Sequence, residues 1–275
     1  MLVPTAAIIE RAITRGTGVG AFNVITLEHA EAIVTGAEIA GQPVLLQISQ
    51  NCVRFHGGRL LPIARAAAAV AAESSVPVAL HLDHVDDDIL LRQAAIAGCG
   101  SVMYDASRLP YADNLEATRN AVTWAHKAGL WIEAELGEVG GKDGAHAPGA
   151  RTDPREARKF VEATGVDALA VAVGSSHAMT TRTASLDHNL ISRLRKAVPV
   201  PLVLHGSSGV PDDELRTAVQ HGMVKINIGT ALNVAYTGAL GEQDLTVADP
   251  RTYLAPARDA MAPTVAQLLG VLSNS

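Results

Sequence analysis

The chain has 275 residues, 48% of them hydrophobic and 18% charged, with a formal net charge of −6 at pH 7. That supplies enough apolar side chain for one large core, and the weakly acidic balance argues against a general nucleic-acid or anionic-membrane surface. Two cysteines in a chain of this size make no disulfide scaffold, so Cys52 and Cys99 read as buried small apolar residues.

In chain order, residues 1–7 hold no basic segment followed by an apolar run. No uncharged apolar stretch reaches the roughly 20 residues of a membrane span, and the expected location is cytoplasmic. Short apolar runs then alternate with segments of helical period. The predicted strands are residues 19–23, 44–48, 78–82, 101–104, 131–136, 168–173, 201–205 and 224–228. The predicted helices are residues 27–40, 62–73, 87–97, 114–128, 154–164, 187–197 and 212–221. Strands joined in this way by helices predict parallel pairing with right-handed crossovers, and so a (β/α)8 TIM barrel as one domain over residues 1–275. Pro43, Pro77 and Pro201 each precede an apolar run, where the first residue of a strand can do without its N–H. Residues 137–153 break the pattern with five glycines, one proline and no period. So long a loop in a compact domain is usually functional or disordered. After the fifth strand of a barrel it lies over the catalytic face.

Polar residues gather at the C-terminal ends of the predicted strands. The third ends in His81-Leu82-Asp83-His84, and the fifth carries Glu133-Ala134-Glu135. The sixth ends in Gly174-Ser175-Ser176-His177, the seventh in His205-Gly206-Ser207-Ser208-Gly209 and the eighth in Asn227-Ile228-Gly229-Thr230. In a barrel these ends meet at one rim. His84, His177 and His205 are candidate metal ligands, because three neutral imidazoles suit a borderline metal such as zinc and leave one position open. Hydrogen-bonded rim histidines would fit the same spacing. Strand alternation sends His81 and Asp83 to one face and His84 to the other, unless the strand ends there and lets His84 turn. The glycine-rich turns after the seventh and eighth strands are candidate phosphate contacts, since glycine lets backbone N–H groups approach an anion. His29, His126, His188 and His221 fall in or near helices and read as surface or capping residues.

Taken together, these motifs, with Leu136-Gly137 after the fifth strand, Leu204 before His205 and Lys225-Ile226 before Asn227, resemble the class II fructose-bisphosphate and tagatose-bisphosphate aldolases. The similarity runs over residues 19–261 and includes Ala21-Phe22-Asn23 and Asp249-Pro250-Arg251-Thr252-Tyr253-Leu254. The resemblance implies an aldehyde-lyase that reversibly cleaves a ketose 1-phosphate or ketose bisphosphate to dihydroxyacetone phosphate and an aldehyde. It implies a zinc ion on His84, His177 and His205, with Glu135 near the metal at an alternative position. Asp83 matches the acid/base at the carbonyl and Asn227 the residue that holds the enediolate. Gly206, Ser208, Thr230 and the backbone N–H of Ala178 match the phosphate site, which a monovalent cation (Na+ or K+) assists. Asn23 and Ser49 match residues facing the other half of the substrate. A homodimer or homotetramer is the implied assembly. The family has no Schiff-base lysine at Lys225, which reads as structural or electrostatic.

Two departures stand out. Gly229, Asn233 and Ala255 occupy positions where the family places an acid or the basic partners of a distal phosphate. Asp143, preceded by Lys142, stands nearest to the mobile loop glutamate that takes the enolisation proton. The rival readings are another metal-dependent barrel enzyme, an isomerase or hydrolase, and a non-catalytic sugar-phosphate-binding barrel. Hydrolases of that kind favour a His-x-His pair on an early strand, which His81-x-x-His84 does not fit.

Overall fold

Every predicted apolar run becomes a strand. In the computed structural model of the chain, which describes residues 1–136 and 151–273, they are β1 (Val19–Asn23), β2 (Val44–Ser49), β3 (Val78–Val85), β4 (Ser101–Tyr104), β5 (Trp131–Glu135), β6 (Ala168–Ala170), β7 (Leu202–Leu204) and β8 (Met223–Ile228). Each pairs in parallel with the next and β8 returns to β1, so the sheet closes. This is a (β/α)8 TIM barrel.

The predicted helices are present as α2 (Leu27–Ala40), α4 (Leu60–Glu73), α5 (Asp88–Ala97), α6 (Tyr111–Lys127), α7 (Pro154–Thr164), α8 (His188–Ala197) and α9 (Asp212–His221). Four more were not expected: α1 (Thr5–Arg15), α3 (Gln50–Phe55), α10 (Thr230–Gly241) and α11 (Arg251–Ser273). α11 carries Pro256 and Pro263 inside it, residues that read as helix breakers. α10 has no charged residue and buries only Leu232, so little in it marks a core-facing stripe. Among the described residues no helix is long and apolar enough to cross a membrane.

Alternation along the strands builds two shells. Outward residues such as Phe22, Leu46, Leu80, Val102, Ile132, Leu169, Leu204 and Ile226 pack with the helices in one large core. Inward residues Val19, Ala21, Leu45 and Ala79 meet Ile8, Ile9 and Ala12 of α1. α1 therefore covers the end of the barrel where the strands begin. The chain reaches α1 from a bridge between Leu2 and Val78. Further along the strands the inward residues turn polar: Gln47, His81, Ser101, Glu133 and Lys225 are all buried. The barrel is filled rather than hollow, and its polar layer lies under the rim.

One histidine departs from expectation. His29, read as a surface or capping residue, is buried in α2 and stacks on Tyr236 of α10 with ring centroids 5.1 Å apart. α10, unseen in the sequence, covers it. Cys52 and Cys99 are free and buried as expected, and burial pushes the Cys99 thiol up to about 12.

Candidate active site

The site begins with a break in strand alternation. Asp83 points into the barrel and is almost fully buried. The next residue should face the helices, but the β3–β4 register slips between Leu82 and Val85, and His84 takes a left-handed backbone with φ 51°. His84 thus turns back over the rim beside Asp83. Among the described residues only His84 and Ala178 are non-glycines with positive φ. Such backbone is unfavourable for residues with a Cβ and tends to be retained where a site needs it.

His84 lies near the end of β3, His205 directly follows β7 and His177 sits in the loop after β6, and one ring nitrogen from each lies within 4.8 Å of the others. Nε2 of His84 and Nδ1 of His205 are 3.0 Å apart. The opposite nitrogens face carboxylates: His84 Nδ1 meets Asp105 Oδ2 at 2.8 Å, and His205 Nε2 meets Glu133 Oε1 at 2.9 Å. Protons held by those carboxylates leave two lone pairs aimed at one point, and carboxylate–histidine backing is typical of metal ligands. Burial lowers His205 to about 4, only partly opposed by Glu133. The donor set fits a divalent metal ion such as zinc.

The surrounding charges are arranged to keep carboxylates ionised. Burial would raise Asp83, but the imidazole of His84, with His81, His205 and Lys225, outweighs it and holds the carboxyl well below its usual range. Burial would likewise raise Glu133, yet Lys225 and His205 hold it at about 2. Glu135 is fully buried and shares a second cluster with His84 and Asp105.

A cavity of about 350 Å³ opens above these groups. Asn23, Ser49, Asp83, His84, His177, Ala178, His205, Gly206, Ser208, Asn227 and Thr230 all line it. Of the other residues singled out from the sequence, Glu135 does not line it and Asp143 lies outside the described residues. Gly206 has φ 67°, and a Cβ there would come 2.6 Å from the Ser176 carbonyl oxygen, so only glycine lets the β7 turn pack against the His177 loop. α10 starts at Thr230, and Ser208 Oγ accepts from the Ala231 N–H at 3.1 Å. A helix N-terminus at a cavity suits an anion. Ser49 Oγ also caps α3, accepting from the Cys52 N–H at 3.2 Å.

Sequence reading missed Asp105, although it follows β4 just as the other site residues follow their strands. It also gave no role to Gln47 or Glu133, whose partners lie far away in the chain. Arg54 after β2 and Arg108 after β4 also line the cavity. Arg182 instead bonds the Val210 carbonyl and pairs with Asp212.

A family model described as fructose-bisphosphate aldolase class-II matches residues 3–275. The YdjI aldolase of Escherichia coli K12 is similar at 31% identity and TM-score 0.86, over 99% of this chain and 97% of that one. A candidate fructose-1,6-biphosphate aldolase of Coccidioides immitis is 29% identical, with TM-score 0.87 over 98% of this chain and 95% of that one. The fructose-bisphosphate aldolase of Campylobacter jejuni shares the fold at 21% identity and TM-score 0.83, over 98% and 95% of the two chains. Because the match extends over nearly the whole barrel, the chain belongs to the class II fructose-bisphosphate aldolase family.

Proposed function

We propose that the chain is a zinc-dependent aldolase that reversibly cleaves a ketose 1-phosphate or ketose bisphosphate into dihydroxyacetone phosphate and an aldehyde. The observation that carries this reading is the convergence of His84, His177 and His205 beside the buried carboxylate of Asp83. Those histidines would hold the zinc ion, with Glu135 offering an alternative position. Bound there, zinc supplies Lewis acidity to the substrate oxygens.

The remaining work falls to the chain's own groups. In cleavage, Asp83 takes the proton from the hydroxyl that becomes the aldehyde carbonyl; in synthesis it returns that proton. A carboxylate held well below its usual pKa is ionised and ready for the first step at neutral pH. Asn227 donates to the oxygen that gains charge as the enediolate forms. Gly206, Ser208, Thr230 and the Ala178 N–H hold the phosphate, with Na+ or K+ assisting. Asn23 and Ser49 face the aldehyde half. Asp143 is the candidate for the enolisation proton.

The test removes the metal. Chelator treatment should abolish cleavage of a ketose 1-phosphate, and zinc or cobalt should restore it with one ion bound per chain at the three histidines. Full turnover by metal-free protein would overturn the reading. The rival binding-protein reading predicts ligand binding without turnover in the zinc-loaded chain.

A further inference from the structure

Lys225 has no exposed surface and does not line the cavity. Its ammonium has three N–H donors and no acceptor. Each donor has an oxygen within reach: Glu133 Oε2 at 2.9 Å, Asn227 Oδ1 at 2.8 Å and Gln47 Oε1 at 3.3 Å. Each of these side chains has a second end turned to the site. Glu133 Oε1 meets His205 Nε2. Gln47 Nε2 donates to Asn23 Oδ1 at 2.7 Å. Asn227 Nδ2 lies 3.0 Å from His205 Nε2, at the cavity wall.

A carboxamide has nearly the same shape either way round, and only its partners decide which end faces where. An ammonium cannot accept, so Asn227 and Gln47 must give Lys225 their oxygens. Their NH2 groups then point away from it. Gln47 in turn claims the oxygen of Asn23 and leaves the Asn23 NH2 over Gly229, where a Cβ would come within 2.6 Å of that nitrogen. With the His205 Nε2 proton directed to Glu133, the Asn227 N–H groups find no acceptor on that ring and remain for an oxygen in the cavity.

We infer that Lys225 is a positioning residue that sets the hydrogen-bond polarity of the active-site wall. Through one buried ammonium it makes Asn227, and through Gln47 also Asn23, fixed donors toward substrate oxygens, while holding Glu133 against His205. The kinetic part of this inference rests on the aldolase reading above.

Lys225→Met alone strands the Glu133 carboxylate and risks unfolding, so the main variant is Lys225→Met/Glu133→Gln, which removes both charges. Asn227→Ala is measured in the parent and in this background with zinc loaded. In the parent it should lower kcat by roughly ten- to a hundredfold, the scale of one hydrogen bond to a charged oxygen. In the double variant it should cost less than about threefold, because the amide is no longer held as a donor. Equal losses in both backgrounds overturn the inference. A second readout needs no turnover: a nuclear Overhauser cross-peak between the Asn227 amide protons and the His205 ring. It should be present in the parent and be lost or at least halved in the double variant; an unchanged cross-peak also overturns the inference. If the parent cleaves no ketose phosphate, the proposed function fails, while the amide comparison still decides the role of Lys225. Should the double variant not fold, Gln47→Leu tests the other branch: it should weaken the cross-peak between the Asn23 amide protons and the Gly229 Hα protons, and an unchanged peak counts against the relay.

Discussion

Asp83 and His84 are neighbours in the chain with different surroundings, and the left-handed backbone at His84 is what brings both to the same cavity. The two can therefore be separated by mutation. Asp83→Ala should lower turnover by about 10²–10⁴-fold, the range for a general acid–base group, while bound zinc stays at one per chain. A loss below about tenfold would make Asp83 a bystander. Asp105, invisible as a site residue in the sequence, sits 2.8 Å behind His84 and also accepts from Ser107 Oγ at 2.6 Å. If it orients His84 for a metal, Asp105→Ala should weaken zinc affinity by about 10–100-fold in a chelator competition. Affinity equal to the parent's would leave Asp105 a structural residue. The Asp83 and His84 motif was legible, and an inward turn of His84 was foreseen only for a strand that ended there; instead β3 runs on to Val85 and the turn comes with a register slip against β4.

At the scale of elements, the helices without local signals depend most on packing. α11 tolerates two prolines and lies close against α2, where Gly36 is the point of contact. A Cβ on Gly36 would come 2.5 Å from Val265 Cβ and 2.6 Å from the Ala262 carbonyl oxygen. Backbone cannot swing aside as a flexible side chain can. Gly36→Val should therefore destabilise the fold by about 1–3 kcal/mol, the usual range for overpacking. For a chain of this size each kcal/mol lowers Tm by roughly 2–4 °C. An unchanged Tm would show that α11 shifts freely. The predicted helices α2 and α5–α9 were readable because each carries a buried stripe against polar neighbours, and α4 because its alanine-rich run is too long for a strand. α10 and α11 were not, since α10 buries only Leu232 and α11 is interrupted by two prolines; α1 was passed over although Ile8, Ile9 and Ala12 form a buried stripe beside Glu10, Arg11 and Arg15. His29 was misread because its cover is Tyr236 of the unforeseen α10.

Over the whole molecule, the cavity combines contributions from β1, β2, β3 and β8, from the segments that follow β4, β6 and β7, and from the starts of α3 and α10. On the β8 side it offers Gly229 and Asn233, neither of them charged, while Ala255 lies on α11 and does not line it. Among the described residues the cationic side chains that line it are Arg54 and Arg108, and Arg54 stands 3.8 Å from the Asp86 carboxylate. A distal phosphate without a cationic partner forgoes charge-assisted hydrogen bonds worth about 1.5–3 kcal/mol each. The ratio of kcat/KM for a ketose bisphosphate over the matching 1-phosphate should then stay below about a hundredfold. A larger preference would mean that an arginine supplies the missing charge, and the ordinary bisphosphate reading would stand.

What the sequence determined by itself was local or periodic: apolar runs of strand length, helical stripes between them, and polar residues placed at the ends of the strands. Those patterns suffice for a parallel barrel with one chemically active rim, because each follows from the geometry of a single element. The tertiary structure decided what meets at that rim. His84 faces His205 across 121 residues of chain, and Lys225 reaches Gln47 across 178. Such contacts exist only once the barrel has closed with a given register, and register is a property of strand pairs, which no single segment carries. The same closure buries Lys225 with Glu133, where each charge has little water to turn to and must be satisfied by its neighbours.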